Sequence, residues 1–227
     1  MRVTALIVAA GSGSRMGGDV PKQYRSIGGR SVLGHAIDAL ASHPRIDVVR
    51  VVIGPHQDSV ANDAIAGRDV GALITGGATR ADSVRAGLVE VEDGIVLVHD
   101  AARPFCPPGV IGRLIDALEH YDGAVPVLAV ADTLAKAGET IEGPIDREGV
   151  VRVQTPQAFS RQGLIDAYEA WTGDCAPTDE ASVVRAAGGR VAAVEGSTSL
   201  EKLTSPADWS RAEAMLAANL VSRTGTG

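Results

Sequence analysis

The chain has 227 residues, 45% hydrophobic and 22% charged, an ordinary globular composition that fits one large domain or one domain with an excursion. Its formal net charge is −7 with no block of Lys or Arg, which argues against generic nucleic-acid binding and still allows a local cationic pocket. Aromatic residues make up only 3%, so Val, Ile, Leu and Ala must build the core.

In chain order, the first element is the strand-like "VTALIVAA" at 3–10. Only Arg2 precedes it as a cation and glycines follow it, so it reads as a core strand and not a signal peptide. Next comes "GSGSRMGGDVPKQY" at 11–24, a glycine turn that matches neither common fingerprint. It ends in no GK[ST], and Met16 stands where GxGxxG requires its third glycine. Backbone amides in such a turn form an anion nest, and missing side chains let a ligand approach closely. A tight strand-to-helix turn uses glycine too. Arg15 and Lys22 tip the reading towards a polyphosphate, because they add a planar fork and a mobile point charge beside the nest.

A helix is expected over 31–43, with Leu33, Ile37 and Leu40 on one face. Strand-like runs follow at 48–54 ("VVRVVIG") and 71–75 ("GALIT"), then Gly76-Gly77 and a helix opened or lined by Arg80, Ser83 and Arg85. Ser83 suits either a helix cap or a base edge. "GIVLVHD" at 94–100 is a buried strand ending in His99 and Asp100. A carboxylate there is a natural Mg²⁺ ligand, since Mg²⁺ takes one or two protein carboxylates and completes its shell with phosphate and water. A lone Asp after a strand also serves as a turn or cap residue, and His99 reads as structural. No zinc-ligand spacing occurs.

A second amphipathic helix is expected over 110–120, carried by Val110, Ile111, Leu114, Ile115 and Leu118. Strands "GAVPVLAV" (123–130) and "RVAAVEG" (190–196) follow, and Ser205-Pro206 reads as N-cap and first residue of a last helix. Repeated strand–helix alternation predicts an α/β fold, a Rossmann-like and mostly parallel sheet with helices on both faces, binding its ligand at the carboxyl ends of the strands. Residues 131–153 break the pattern. They are polar, with turns at "KAG", "EGP" and "REG", and predict one or two short strands leaving the body as a surface loop or a dimerisation arm. "TDEAS" predicts Thr178 capping a helix with acids in its first turn. Cys106 and Cys175 form no CxxC and are expected as reduced thiols. No apolar run approaches the roughly 20 residues of a membrane span, and the expected setting is cytoplasmic. The chain ends soon after the last helix, and no fused second domain is expected.

Together, "AAGSGSRM…PKQY", "TGGATRADSV", "VLVHDAARPF", "TPQAF", "TDEAS" and "EKLT" resemble, in content and order, the 2-C-methyl-D-erythritol 4-phosphate cytidylyltransferases. The resemblance runs from Val3 to about Leu216, and "PKQY" with "HDAARPF" is its most specific part. It implies transfer of the cytidylyl group of CTP to methylerythritol 4-phosphate with release of pyrophosphate, in non-mevalonate isoprenoid synthesis. It also implies Mg²⁺, a homodimer with a swapped arm, and a nucleotidyltransferase domain over residues 1–227 with that arm at about 131–153. Matched by position, Arg15 and Lys22 would stabilise the reacting triphosphate, and Asp100 would hold the metal. Ala9, Ala10, Gly11, Gly77, Ser83 and Ala101 would contact cytidine. Arg147 and Lys202 would position methylerythritol phosphate, with Arg103, Thr133, Thr155 and Thr178 at further substrate-side positions. Thr133 and Arg147 would serve the partner's site. The chain departs from the family at Ala78, where an acid is frequent, and at "SLEKLT", where "NIKVT" is frequent and Glu201 stands beside the lysine. A ribitol 5-phosphate cytidylyltransferase shares "PKQ" and "HDxxRPF". An NAD(P) oxidoreductase is disfavoured by Met16 and by "VVIGPH", which lacks a terminal acid, and a non-catalytic nucleotide-binding protein by Arg15, Lys22, Asp100 and Lys202 occurring together.

Overall fold

The computed structural model describes residues 1–11, 20–173 and 175–224, with side chains as far as residue 218. From the amino end, β1 (Val3–Ala9) leads to a 3-10 turn at Lys22–Tyr24 and a small ribbon, β2 (Ser26–Ile27) and β3 (Arg30–Ser31), before α1 (Val32–Ala41). Then β4 (Val48–Ile53), α2 (Asp58–Ile65), β5 (Ile74–Thr75), α3 (Arg80–Val89) and β6 (Ile95–Asp100) alternate. After α4 (Pro108–Ala117) and β7 (Gly123–Ala129) come β8 (Leu134–Ala137), β9 (Ile141–Ile145), β10 (Val151–Val153) and β11 (Gln157–Ser160). The chain continues through α5 (Arg161–Glu169), α6 (Glu180–Ala186), β12 (Val191–Glu195) and α7 (Pro206–Thr224).

An eight-stranded sheet organises the fold. β1 lies at its centre, parallel to β4 on one side and β6 on the other, and β5 extends the β4 edge in parallel. Strands covered on both faces read as continuous apolar runs, and β1 is buried at all but one of its seven positions. Its side chains divide between two cores by the period of two. Ala5 and Ile7 join Leu33, Ile37 and Leu40 of α1 and Val110, Ile111 and Leu114 of α4. Leu6 packs on the opposite face with Val84 and Leu88 of α3 and with Phe159 and Leu164. A Cβ at Gly87 would lie 2.6 Å from Leu6 Cδ2, so glycine is what lets α3 sit this close to β1.

Helix starts are fixed locally. Ser31 Oγ accepts the Gly34 amide at 2.8 Å to open α1. Thr79 and Asp82 form a capping box at α3, bonding each other's backbone amides. At α7 the expected Ser205-Pro206 start holds: Ser205 Oγ accepts the Asp208 amide, and the Asp208 carboxylate accepts the Thr204 and Ser205 amides at 2.8 Å each. Burial works against the charge on Asp208, but these bonds override it and lower its carboxyl to about 2.

The sheet is mostly parallel, as expected, and it gains an antiparallel strand, β11, between β6 and β7. That strand is four residues long and begins with Gln157, so it carries no apolar run to announce it. Three expectations need correction. Within 131–153, β8 and β9 do form a separate hairpin, but Val151–Val153 returns to the main sheet as β10, antiparallel to β7. "GALIT" pairs only at Ile74 and Thr75, opposite Val52 and Ile53. The cap of α6 is Asp179 and not Thr178: the Asp179 carboxylate accepts the Ser182 amide at 3.0 Å. Thr178 lies one residue outside.

Candidate active site

Four parallel strands end at one cavity of about 780 Å³. Ala9, Ala10 and Gly11 leave β1, Gly54 and Pro55 leave β4, Gly76 and Gly77 leave β5, and Asp100 and Ala101 end β6. This is the crevice at the carboxyl ends of the strands that the alternation predicts. Lys22, Arg80, Ser83 and Lys202 complete its charged and polar rim. The small residues leave main-chain groups as the wall against which a ligand would lie.

The entry to the glycine turn is held by the "PKQY" segment. Buried Gln23 donates through Nε2 to the carbonyls of Ala9 (2.6 Å) and Gly11 (2.7 Å). Tyr24 donates from its hydroxyl to Gln57 Oε1 at 2.8 Å, and burial pushes its pKa up to about 12. Both residues therefore fasten the carboxyl end of β1, and only the fold reveals it, because Ala9, Gln23 and Gln57 belong to different elements. Ser83 donates to the Thr79 carbonyl (2.9 Å) and accepts the Gly77 amide (3.2 Å). A hydroxyl has two acceptor sites, so one remains for a donor on a base edge.

Asp100 is the electrostatic centre. Its Oδ1 accepts from Arg80 Nε at 3.0 Å and its Oδ2 from Lys202 Nζ at 2.7 Å. Arg103 Nε lies 3.8 Å from Oδ2, too far for a hydrogen bond, and has no other partner. Burial would raise the Asp100 carboxyl; Arg80, Lys202 and Arg103 override it and hold the group well below the usual carboxylate range. Arg80 is itself fixed from behind. Its two terminal nitrogens fork onto Glu180 at 2.7 and 2.9 Å, and Glu180 is fully buried and also accepts from the Tyr168 hydroxyl. The sequence signal for this pair is weak, since each residue reads as polar decoration of a helix start.

A second chain of bonds holds the end of β6. The Asp100 amide donates to Thr155 Oγ1 at 3.0 Å, and Thr155 Oγ1 lies 3.1 Å from His99 Nδ1. His99 Nε2 lies 2.9 Å from the Arg103 carbonyl, which fixes the proton on Nε2 and leaves Nδ1 to accept from Thr155. Burial lowers the His99 pKa to about 4, so the ring is neutral and both nitrogens are used, in keeping with the structural role expected for it.

The segment 200–204 gathers three cations. Arg103 donates to the Leu200 carbonyl (2.6 Å), Lys22 to the Leu203 carbonyl (2.6 Å) and Lys202 to Asp100. Buried Gln154, next to β10, holds Ser197 with both ends of its amide. Lys202 also lines a second cavity of about 410 Å³ with Arg103, Arg152, Gln154, Glu201 and Arg211.

Of the residues singled out in the sequence, Ala9, Ala10, Gly11, Lys22, Gly77, Ser83, Asp100, Ala101 and Lys202 line the larger cavity, and Arg103 the smaller. Thr155 is buried behind Asp100. Thr133 and Arg147 are exposed on the hairpin, where Arg147 donates to the Ala131 carbonyl, and line neither cavity. Thr178 also lines neither. Arg15 lies outside the described residues. Among the described residues no three His, Cys, Asp or Glu side chains converge on a metal-sized site. The lone carboxylate at the end of β6 fits Mg²⁺ held jointly with phosphate oxygens, and does not fit a metal that the protein would cage by itself.

Sheet order and cavity together define an α/β protein of the nucleotidyltransferase type, with a glycine-walled crevice at the strand ends. The family model described as IspD, 2-C-methyl-D-erythritol 4-phosphate cytidylyltransferase, matches residues 3–218, and the chain belongs to this family. Similar proteins include the bifunctional enzyme IspD/IspF of Rhizorhabdus wittichii, 56% identical over 99% of this chain and 58% of that relative. The bifunctional enzyme IspD/IspF of Rhodospirillum rubrum is 44% identical over all of this chain and 60% of the relative. The chain thus spans about three fifths of the length of the curated relatives it matches. The solved 2-C-methyl-D-erythritol 4-phosphate cytidylyltransferase of Thermus thermophilus superposes with a TM-score of 0.78 at 35% identity, covering 95% of this chain and 98% of that one. No helix among the described residues is long and apolar enough to cross a membrane.

Proposed function

We propose that the chain transfers the cytidylyl group of CTP to 2-C-methyl-D-erythritol 4-phosphate, forming 4-diphosphocytidyl-2-C-methyl-D-erythritol and pyrophosphate. The observation that carries this reading is the convergence of the glycine wall, Ser83, Lys22, Asp100 and Lys202 on one cavity, in a chain of this family. The acceptor is a phosphate monoester, anionic near neutral pH because its second pKa is about 6. It needs no general base, which agrees with a His99 whose two nitrogens are already committed. The obstacle is repulsion between two anions. Lys22 stands at the cavity rim to neutralise the triphosphate, with Arg15 assigned the same task from the sequence. Lys202, which lines both cavities, and Arg103, which lines the smaller, suit the acceptor phosphate. Main-chain walls hold the nucleotide so that attack is in line, which lowers the barrier by positioning. Asp100 would hold Mg²⁺, which when bound neutralises phosphate charge.

The hairpin supports a homodimer. On it Ile141 is 80% exposed and Ile145 is exposed, and Val150, Val151 and Val153, at and before the β10 edge of the main sheet, are exposed as well. A lone two-stranded hairpin is marginal in water, so an apolar arm of this kind fits a second copy of the chain, to which Thr133 and Arg147 would be delivered. A cytoplasmic setting belongs to the same reading.

The test is pyrophosphate release with CTP and Mg²⁺, offering methylerythritol 4-phosphate or ribitol 5-phosphate as acceptor. Release with the first and not the second is expected, whereas release with neither would remove the transferase reading. Lys22→Ala should lower turnover at least ~10²-fold, the scale of one lost transition-state donor, and near-normal turnover would sink its assigned role.

A further inference from the structure

The ion pair between Lys202 and Asp100 sits on Oδ2, the carboxylate oxygen that does not carry the fixed Arg80. Among the described residues three cations face that carboxylate, and they differ in freedom. Arg80 is tied to buried Glu180 through both terminal nitrogens, and Arg103 is largely buried and bonded to the Leu200 carbonyl. The Lys202 side chain is 36% exposed, and an unbranched ammonium stem can swing where a doubly bonded guanidinium cannot. It lines both cavities, so leaving Asp100 would carry it towards the one shared with Arg103 and Arg152. In that second cavity Arg152 and Arg211 are both engaged by Glu201.

We propose that Lys202 and a divalent metal compete for Asp100 Oδ2, so that metal arrival releases the Lys202 ammonium into the second cavity, where an anionic acceptor group would bind. Oδ2 keeps a second lone pair, but a metal bound there would stand beside the Lys202 ammonium, which lies 2.7 Å from the same oxygen. Two cations on one carboxylate oxygen would also repel each other strongly. Lys202 thereby becomes a positioning residue whose location reports the metal. The inference rests on the proposed role of Asp100 as metal ligand. Its test uses no nucleotide and no polyol phosphate, so it can fail while transferase activity stands.

Mn²⁺ binding to the ligand-free protein, weak because water must stand in for the phosphate oxygens and so followed at high metal by electron paramagnetic resonance, separates the outcomes. Lys202→Met should tighten Mn²⁺ binding about tenfold or more, because it removes a direct competitor. Lys22→Met lines the same cavity without touching Asp100 and should change affinity by less than about threefold, the effect of a screened neighbouring charge. Asp100→Asn should abolish the site. Unchanged affinity in Lys202→Met, or an equal gain in both lysine variants, would overturn competition. Calorimetry with inorganic phosphate tests the release itself. Mg²⁺ should strengthen phosphate binding in the wild type and not in Lys202→Met; binding indifferent to Mg²⁺ in the wild type would overturn it.

Discussion

The floor of the larger cavity and the β8–β9 hairpin solve opposite problems. At the floor, Asp100, Glu180 and Thr155 are buried with Arg80 held against them, and charges hold charges through short bonds. In the hairpin nearly every residue is exposed, and its strands pair only with each other. The floor is complete within one chain and keeps its geometry by burial. The hairpin holds polar and apolar groups outward, and in the proposed dimer it would gain its surroundings from the second copy. Preorganised charge belongs on the rigid part, while a recognition element of low local stability belongs where a partner can complete it.

The comparison can be broken at the floor first. Glu180→Ala leaves the Arg80 fork buried without its carboxylate and should cost ~3–5 kcal/mol in denaturant unfolding, the range for half of a broken buried pair. A loss below ~1 kcal/mol would mean that water replaces Glu180 and that the floor is softer than described. The next effect is a pH slope. The His99 pKa falls from 6.5 to about 4 on folding, so the unfolded chain binds the extra proton in that window and stability must drop as pH falls through it. The contribution is complete above pH 6.5 and should be lowered by ~3 kcal/mol near pH 4. Asp100, whose carboxyl is depressed, loses its share only at lower pH. Unfolding curves across this range should therefore be flatter for His99→Asn than for the wild type, and equal slopes would assign the loss elsewhere. The smallest effect is expected on the hairpin. Ile141→Asp should leave the unfolding of the monomeric body within ~0.5 kcal/mol, as for a surface change, while sedimentation should show the proposed dimer weakened. A stability loss comparable to that of Glu180→Ala would place the hairpin in the core instead.

Much of the sheet was legible because its strands are all-apolar runs, and the α1, α4 and α7 helices because each carries a stripe or a cap. The cavity was legible as the meeting point of strand ends, down to Gly77, Ser83 and Asp100. β11 was not: its four residues are held in place by pairing to β6 and β7, which lie more than 20 residues away in sequence. The Arg80–Glu180 pair was not legible either, since it joins positions 100 residues apart that behave locally as helix-start polar groups. Gln23 and Gln154 were hidden for a related reason, as each amide bonds main-chain groups of a different element. Their function is geometric, and only the folded chain supplies the geometry.

The glycine wall has a consequence for inhibition. A Cβ at Gly76 would come within 2.6 Å of Ser83 Oγ and 3.0 Å of the Ala10 methyl carbon, and one at Gly77 would strike Asp82, half of the capping box of α3. A compound that competed by reading these main-chain groups would face a surface with little room to change. Replacing either glycine to exclude the drug would also disturb the helix that carries Arg80 and Ser83. Resistance would have to arise elsewhere, and the accessible route narrows to the rim.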